Sequence, residues 1–130
     1  MTEINVEYLN HMGGDSGLLP WAAGILEGEG CFSLHTRKSG KHAGSSEVAI
    51  HCEMTDKDTI EKLHSVLKVG SICHRENKRS DGRIRKHSWI LSIQSQKDVL
   101  NTLIKVSPYM GNRRKEKIAD MVEFLVNKLC

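Results

Sequence analysis

At 130 residues, 38% of them hydrophobic, the chain is long enough for one domain with a modest core. All 19 Lys and Arg residues follow residue 30, together with 11 of the 16 acidic residues, so this part carries a net charge of +8 and favours a polyanionic partner. The sequence has no C-x-x-C pair, no apolar run long enough to span a membrane and no visible secretory signal. These features argue against a zinc ribbon and a membrane protein, and they predict an intracellular protein whose four cysteines are reduced.

The first part of the chain, residues 1–17, is polar and contains three glycines. This composition predicts an N-terminal extension with at most one short turn around Val6 to Leu9. Residues 18–130 are predicted to form one domain. Its first helix is expected to begin near Pro20, because proline suits the first turn of a helix, where a missing N–H costs nothing.

This first helix has a face without side chains. Gly24 and Gly28 are four residues apart, so they lie on one face and allow a second backbone to approach closely. The helix ends where Glu27 and Glu29 alternate with glycines. Acidic groups at a helix C-terminus oppose the macrodipole, so this end needs a compensating charge, for which a bound divalent cation is the obvious candidate.

The nine residues from Ala22 to Gly30 resemble the signature of the LAGLIDADG homing endonuclease family, with conservative changes at several positions. Ile25 and Leu26 stand for the Leu-Ile of that signature, and Glu27 and Glu29 stand for its two Asp residues. On the motif alone, an ordinary amphipathic helix with a Gly-rich C-cap is the alternative. The resemblance extends over most of the chain, so the pattern of the remaining elements also bears on it.

From Cys31 the sequence pattern changes from a helical period to a period of two, which is typical of a half-buried strand. The alternation predicts a first strand over residues 31–37 and a second over residues 47–54, separated by a glycine-containing loop. These two strands are expected to pair as an antiparallel hairpin.

A helix is predicted from Thr55 or Asp56 to Val69, because Thr and Asp are good N-caps and apolar residues then recur at helical spacing. Residues 71–75 and 85–94 are predicted to be two further strands. They form a second hairpin around a charged loop.

The chain closes with two predicted helices. One opens at Ser95 or Gln96 and runs through Ile104, and Pro108 separates it from the last helix, Arg114 to Leu129. The order α-β-β-α-β-β-α-α predicts an α+β fold in which helices cover one face of an antiparallel sheet. The family resembled here has this topology and uses the other face of the sheet as a saddle for DNA.

The uncovered face of the predicted sheet mixes polar, basic and acidic side chains, which suits the reading of hydrogen-bond patterns in the major groove better than plain solvation. Together with basic residues in the flanking segments, these side chains form the predicted interface with double-stranded DNA. The residues are Ser33, His35, Arg37, His51, Glu53, Arg75, Arg83, Arg85, Ser88, Arg113 and Arg114. The seven histidines contain no H-x-x-x-H or H-E-x-x-H pair, and we interpret His35, His51 and His87 as groove-facing or exposed polar residues rather than metal ligands.

Hydrolysis of a phosphodiester at neutral pH needs an activated water and stabilisation of negative charge on the leaving oxygen, and a hard cation held by carboxylates supplies both. The resemblance implies that Glu29 binds this ion, that Gly28 contributes its backbone carbonyl, and that Glu27 has a structural role. It also implies Mg²⁺ as the metal, with Mn²⁺ able to substitute and Ca²⁺ supporting DNA binding without cleavage. No small-molecule cofactor is expected.

Two further site residues come from the resemblance. Asp56 matches a polar residue near the attacking water, although the same position suits a simple N-cap. Lys115 matches a lysine near the scissile phosphate when the proline before the last helix is aligned with the family's proline. Arg113, Arg114 and Lys117 are rivals for that role, and a solvated helix start is the alternative for the whole basic cluster.

A single signature motif supplies half of an active site, so the resemblance implies a homodimer and a nearly palindromic target. The opening helices are expected to pair through Trp21, Gly24, Ile25 and Gly28. The predicted function is site-specific cleavage of double-stranded DNA by a homing endonuclease, of the kind encoded by mobile introns or inteins. The alternatives are a non-cleaving nucleic-acid binder on the same fold, such as an intron maturase or a regulator, and a small protein-interaction module.

Overall fold

A computed structural model describes residues 6–41 and 43–129, without the side chains of residues 6–16 and 84–85. In this part of the chain, four α-helices and four strands follow one another in the predicted order, which confirms the α+β prediction. They are α1 (Val6–Glu29), β1 (Gly30–Thr36), β2 (Ser46–Met54), α2 (Lys57–Leu67), β3 (Ser71–Lys78), β4 (Ile84–Ile93), α3 (Gln96–Val106) and α4 (Asn112–Leu129), with a short 3-10 helix, Ser107–Tyr109, before α4.

The four strands form one antiparallel sheet in the order β1-β2-β4-β3. The two predicted hairpins, β1–β2 and β3–β4, are therefore joined through β2 and β4. Phe32 lies opposite Ile50, and Ile50 lies opposite Ile93. Because directly opposed residues point to the same side of a sheet, these apolar side chains share the face toward the helices. The alternate residues point to the other face, which we call the open face.

The helices pack on one face of the sheet, and each buries one stripe of apolar residues three and four positions apart. The fully buried helical positions include Ala22, Ala23, Leu26, Ile60, Leu63, Val99, Leu103, Met121 and Leu125. Burying one large aliphatic side chain in this way stabilises the fold by roughly 1.5–3 kcal/mol. The core therefore lies between the helices and the sheet, and it leaves the open face to polar residues.

Helix α1 is longer than the sequence predicts. It begins at Val6 and contains Pro20, whereas we expected a short turn around residues 6–9 and a helix start near Pro20. In a helix interior glycine costs about 1 kcal/mol and proline about 3 kcal/mol relative to alanine, so the sequence indicates breaks that α1 nevertheless passes through. The division of the chain after residue 17 stays a prediction. Among the described helices, none combines the length and the hydropathy that crossing a membrane requires.

The hairpin β3–β4 is also longer than predicted, because β3 continues to Lys78 rather than ending at Arg75. Its turn is closed by the N–H of Arg79, which donates to the carbonyl of Arg83, and by Gly82, whose φ is +85°. The charged residues in this segment predict a loop, but an exposed strand accepts charged side chains once its backbone is paired. Both faces of the hairpin are exposed near the turn.

Candidate active site and nucleic-acid interface

The candidate site lies at the junction of α1 and β1, where the chain passes from helix to sheet without a loop. Glu29 is the last residue of α1 and Gly30 is the first residue of β1. A Cβ atom on Gly30 would lie 2.5 Å from the carbonyl oxygen of Leu26, so only glycine fits this position. Glu29, which is exposed, is thereby fixed at the edge of the open face.

An arginine from α4, mostly buried, holds the inner side of this junction. Arg114 donates from Nη1 to the carbonyl of Gly30 (2.9 Å) and from Nη2 to the carbonyl of Glu27 (3.0 Å). Its guanidinium lies 5.2 Å from the ring centroid of Phe32, and 19% of the side chain is exposed. Arg114 therefore supplies the positive charge that the C-terminal end of α1 needs. Its predicted contact with DNA stays a prediction.

The carboxylate of Glu27 points to the same inner side. Its Oε2 lies 3.8 Å from Nε of Arg114, and neither atom has a hydrogen-bond partner among the described residues. Its Oε1 lies 2.9 Å from the position that a Cβ on Gly111 would take, so a side chain at this position would require the carboxylate to shift. These contacts agree with the structural role predicted for Glu27.

On the outer side of the junction, Glu29 lines two clefts of the open face, and Glu53 and Arg75 line both of them. One cleft also includes Met54, Thr55, Asn77, Lys86 and Ser88. The other also includes Cys31, His51, Ile90 and Ser92. The structure thus brings Glu29 together with four residues predicted to contact DNA.

Hydrogen bonds orient Glu53 in these clefts. Nη1 of Arg75 lies 3.7 Å from Oε1 of Glu53, and Ser88 donates its hydroxyl to Oε2. Ser88 is only 3% exposed, and Nδ2 of Asn77 lies 3.5 Å from its hydroxyl oxygen. Because Arg75 and Ser88 are directly opposed in the β3–β4 ladder, both reach the same carboxylate. Glu53 is therefore a second, well-positioned acid in the clefts that Glu29 lines.

The thiol of Cys52 lies on the core side of the junction, and its pKa is affected by the charge of Glu29. Cys52 lies opposite Gly30 in the β1–β2 ladder and is 1% exposed. Burial, and in second place the negative charge of Glu29, raises the pKa of Cys52 to about 11. The thiol therefore stays protonated at neutral pH and is unsuited to metal binding. The three described cysteines are free thiols, in agreement with the sequence prediction.

Asp56 is the N-cap of α2. Its Oδ1 accepts from the backbone N–H groups of Asp58 (3.1 Å) and Thr59 (3.4 Å), and its Oδ2 accepts from the hydroxyl of Thr59 (2.9 Å). The N-cap interpretation is therefore confirmed. Its neighbour Thr55 lines one of the clefts around Glu29. A role of Asp56 near the attacking water stays a prediction.

The basic residues at the start of α4 point in different directions. Arg113 and Lys117 line a cleft with Gly30, Cys31 and Phe32, next to Glu29. Lys115 lines a groove between α3 and α4 formed by Leu103, Ile104, Ser107, Pro108, Ile118, Ala119 and Val122. Two helical positions correspond to a rotation of about 200°, which separates Lys115 from Lys117. The structure thus brings all three rivals, Arg113, Arg114 and Lys117, rather than Lys115, to the end of α1.

The part of the open face over β1 and β2 forms a further cleft. Its lining includes Ser33, His35, Arg37, His51, Glu47, Gln94 and Gln96. Arg37 forms an ion pair with Glu47 across the two strands. Arg83 is exposed in the β3–β4 turn, and the side chain of Arg85 lies outside the described residues.

Sequence analysis missed several residues of these clefts, among them Asn77 and Lys86. The third strand was predicted to end at Arg75, so the alternation that places Asn77 on the open face was not followed. Asn77 and Lys86 are directly opposed in the ladder. Continuing the period of two by one more pair would have identified both.

Of the residues predicted to mediate dimerisation, Gly24 and Gly28 lie on the exposed side of α1, whereas Trp21 and Ile25 pack against the core. Gly17, Gly24 and Gly28 are exposed, and a Cβ on any of them would meet no atom within 4 Å. Trp21 and Ile25 are half-buried, and Nζ of Lys62 lies 4.3 Å from a ring centroid of Trp21. Positions 17, 21, 24 and 28 follow the spacing of a single helical stripe. Apart from Trp21, the positions of this stripe are glycines, and we call it the glycine stripe.

Comparisons with known proteins agree with this geometry. Residues 22–124 match the family model described as LAGLIDADG endonuclease. A search of curated protein sequences found no match.

Solved structures share the fold at low sequence identity. The homing endonuclease I-CvuI, in complex with its target in the presence of Ca, has 18% identity and a TM-score of 0.63 over 85% of this chain and 67% of its own. A second I-CvuI complex was obtained with Mg and uncleaved DNA. The group I intron-encoded I-CeuI with DNA has 15% identity and a TM-score of 0.61 over 96% of this chain and 56% of its own. I-SmaMI bound to cleaved DNA has 23% identity and a TM-score of 0.57 over 82% of this chain and 35% of its own.

Proposed function

The chain belongs to the LAGLIDADG endonuclease family, and on this basis we propose that it cleaves double-stranded DNA at a specific site by metal-dependent hydrolysis. One observation carries the proposal: the carboxylate of Glu29 lies at the edge of the open face, in clefts shared with Glu53 and Arg75. An acid in that position repels phosphates unless a cation is bound, so a protein that only binds DNA has no use for it.

The proposed metal ligands are the carboxylate of Glu29 and the backbone carbonyl of Gly28. Glu53 places a second acid in the clefts that Glu29 lines, so these oxygen donors suit a divalent cation. Such oxygen donors are typical of Mg²⁺, which keeps several waters and binds one or two carboxylates. When bound, the ion lowers the pKa of a coordinated water and neutralises negative charge on the leaving oxygen. We propose that Mn²⁺ substitutes for Mg²⁺ and that Ca²⁺ supports binding without cleavage.

Residues of the open face and of the start of α4 are proposed to bind and orient the DNA. In this proposal the open face enters the major groove, where its mixed donors and acceptors contact base edges. Arg113 or Lys117 contacts the scissile phosphate, because both line the cleft beside Gly30 and Cys31, and Lys115 is the rival. Asp56 remains the N-cap of α2, and its neighbour Thr55 lines one of the clefts around Glu29. The genes of such proteins lie in mobile introns or inteins, and we place the protein inside the cell.

We further propose that two copies pair through the glycine stripe of α1, because the chain has one signature motif and hence half of an active site. Gly24→Leu tests this pairing cleanly. A Cβ at position 24 meets no atom of its own subunit within 4 Å, so the monomer should fold normally, while two paired helices would be forced apart. Sedimentation should show a dimer for the wild type and a monomer for Gly24→Leu. A wild-type protein that is monomeric at micromolar concentration would contradict the pairing.

Glu29→Gln separates an enzyme from a binder. The substitution keeps size and hydrogen bonding but removes the charge that holds the cation, so cleavage should be lost at any practical assay time. DNA binding should survive, because base and phosphate contacts do not involve this carboxylate. A site selected from a random DNA library would be assayed for cleavage in Mg²⁺ and for binding by gel shift in Ca²⁺.

Two matched variants control this experiment. Glu123→Gln changes an exposed acid of α4 and should leave both cleavage and binding unchanged. Glu27→Gln should lower stability before it affects chemistry, because Glu27 faces Arg114 on the inner side. Cleavage by Glu29→Gln at the wild-type rate would show that the metal site lies elsewhere.

A further inference from the structure

The hairpin β3–β4 carries a second cluster of chemically active side chains. It lies on the face of the sheet opposite to the clefts that Glu29 lines. His74 lies opposite Trp89 and Glu76 lies opposite His87 in the ladder. The alternation of the strands puts all four on the helix side of the sheet, where Ile72 and Leu91 face the core further along. Near the turn, however, His74, Glu76 and His87 are exposed.

The three side chains converge. Nε2 of His74 lies 2.9 Å from Nδ1 of His87, and the two imidazole rings are stacked with centroids 5.0 Å apart and planes 11° apart. The ring of His74 also packs at 5.2 Å from Trp89, which restricts its orientation. One donor atom from each of His74, Glu76 and His87 lies within 4.8 Å of the others.

We propose that His74, Glu76 and His87 bind a divalent transition-metal ion of the Zn²⁺ class. Two imidazoles and one carboxylate form a donor set that suits Zn²⁺, Ni²⁺ or Cu²⁺ and disfavours Mg²⁺, and the fourth position is left to water. In a tetrahedral site with Zn–N bonds of 2.0–2.1 Å, two nitrogens are about 3.3 Å apart. The observed nitrogens therefore need to separate by only a few tenths of an ångström.

The ion ties β3 to β4 close to the turn of the hairpin. The same two strands present Arg75, Asn77 and Lys86 on the open face, alternating with the metal-binding residues. The site is thus separate from Glu29 and its hard cation, and it orders a hairpin whose two faces are otherwise exposed. Neither its ligands nor its metal take part in the proposed cleavage.

The first test titrates the full-length protein with Co²⁺, a spectroscopic probe for Zn²⁺ sites. The wild type should develop the intense visible bands of a tetrahedral ion, without the near-ultraviolet bands of a thiolate ligand. His74→Gln and His87→Gln should each weaken binding by more than about 100-fold, since even the loss of an outer partner of a ligand costs 10–100-fold. His35→Gln, on the open face, should bind as the wild type does, and Glu29→Gln should keep the intense tetrahedral bands.

The second test is thermal unfolding with and without Zn²⁺. An ion that binds the folded state alone raises Tm, so Zn²⁺ should raise the Tm of the wild type and leave that of His87→Gln unchanged. Without metal the two proteins should unfold at the same temperature, because His87 is exposed. The proposal is overturned if His87→Gln binds Co²⁺ as tightly as the wild type. It is equally overturned if binding is lost in Cys73→Ser or in Glu29→Gln rather than in the histidine variants.

Discussion

Glu27 and Glu29 are two residues apart, yet they lie on opposite sides of the α1–β1 junction. On the inner side, Glu27 faces the fixed charge of Arg114 and the backbone of Gly111. On the outer side, Glu29 faces open clefts that contain the second acid Glu53. Glu27 is partly buried beside a fixed cation and contributes to the fold, whereas Glu29 is exposed beside a second acid, and we propose that it binds a cation from solvent. In this proposal the side of the junction, rather than the residue type, separates the two roles.

The largest effect is expected at the basic residue that we propose to contact the scissile phosphate. Lys117→Met or Arg113→Met should slow cleavage about 100-fold or more, because removing one group that stabilises developing negative charge has this cost. Lys115→Met is the matched control on the same helix, and it should cleave at the wild-type rate. Single-turnover cleavage of the selected site measures all three. The reverse pattern would show that the face of α4 toward α3 turns to the phosphate in the complex.

A smaller effect is expected on the inner side. Arg114→Ala leaves two carbonyls and the Glu27 carboxylate without their cation, so the free energy of unfolding should fall by about 2–3 kcal/mol. Arg113→Ala removes an exposed arginine from the adjacent position and should change stability by less than about 0.5 kcal/mol. Urea unfolding measures the free energy of unfolding of both variants, which can be compared when their m-values are equal. Equal stability of the two would mean that Arg114 does not hold the junction.

The smallest effect concerns the open face itself. If Arg75 contacts a phosphate in each DNA-bound subunit, Arg75→Gln should reduce the slope of log K against log[salt] by about 1 per subunit. Lys128→Gln, in the last turn of α4, should leave that slope unchanged. Binding isotherms between low and moderate salt give both slopes. An unchanged slope for Arg75→Gln would show that Arg75 orients Glu53 and does not contact a phosphate.

The order of helices and strands could be predicted because the hydrophobic period changes clearly at each boundary. The start of α1 could not, since glycine and proline at positions 13–20 suggest breaks that the helix passes through. The true end of β3 was missed for a related reason. Local composition indicates a loop there, while pairing with β4 keeps the strand extended to Lys78.

The position of Glu29 could be predicted from the signature motif, but its surroundings depend on contacts between distant residues. Arg114 is 84 residues from Gly30 in sequence, so nothing local indicates that it caps α1. The rotation of α4 decides whether Lys115 or Lys117 faces the junction, and aligning one proline does not fix a rotation. The cluster of His74, Glu76 and His87 depends on strand register, which no short sequence pattern reveals.

Two arginines of the open face, Arg37 and Arg75, are already paired with the acids Glu47 and Glu53 in the free protein. Binding to non-specific DNA depends almost entirely on contacts between basic side chains and phosphates. An arginine that is already paired with an acid is less available for such a contact, so these pairs lower the affinity for non-specific DNA. At the right site, base edges can replace the acids as partners. A genome presents about 10⁶–10⁹ competing positions. A protein that leaves wrong positions quickly searches such a genome faster, so if the open face binds DNA as we propose, its acids favour speed of search as much as recognition.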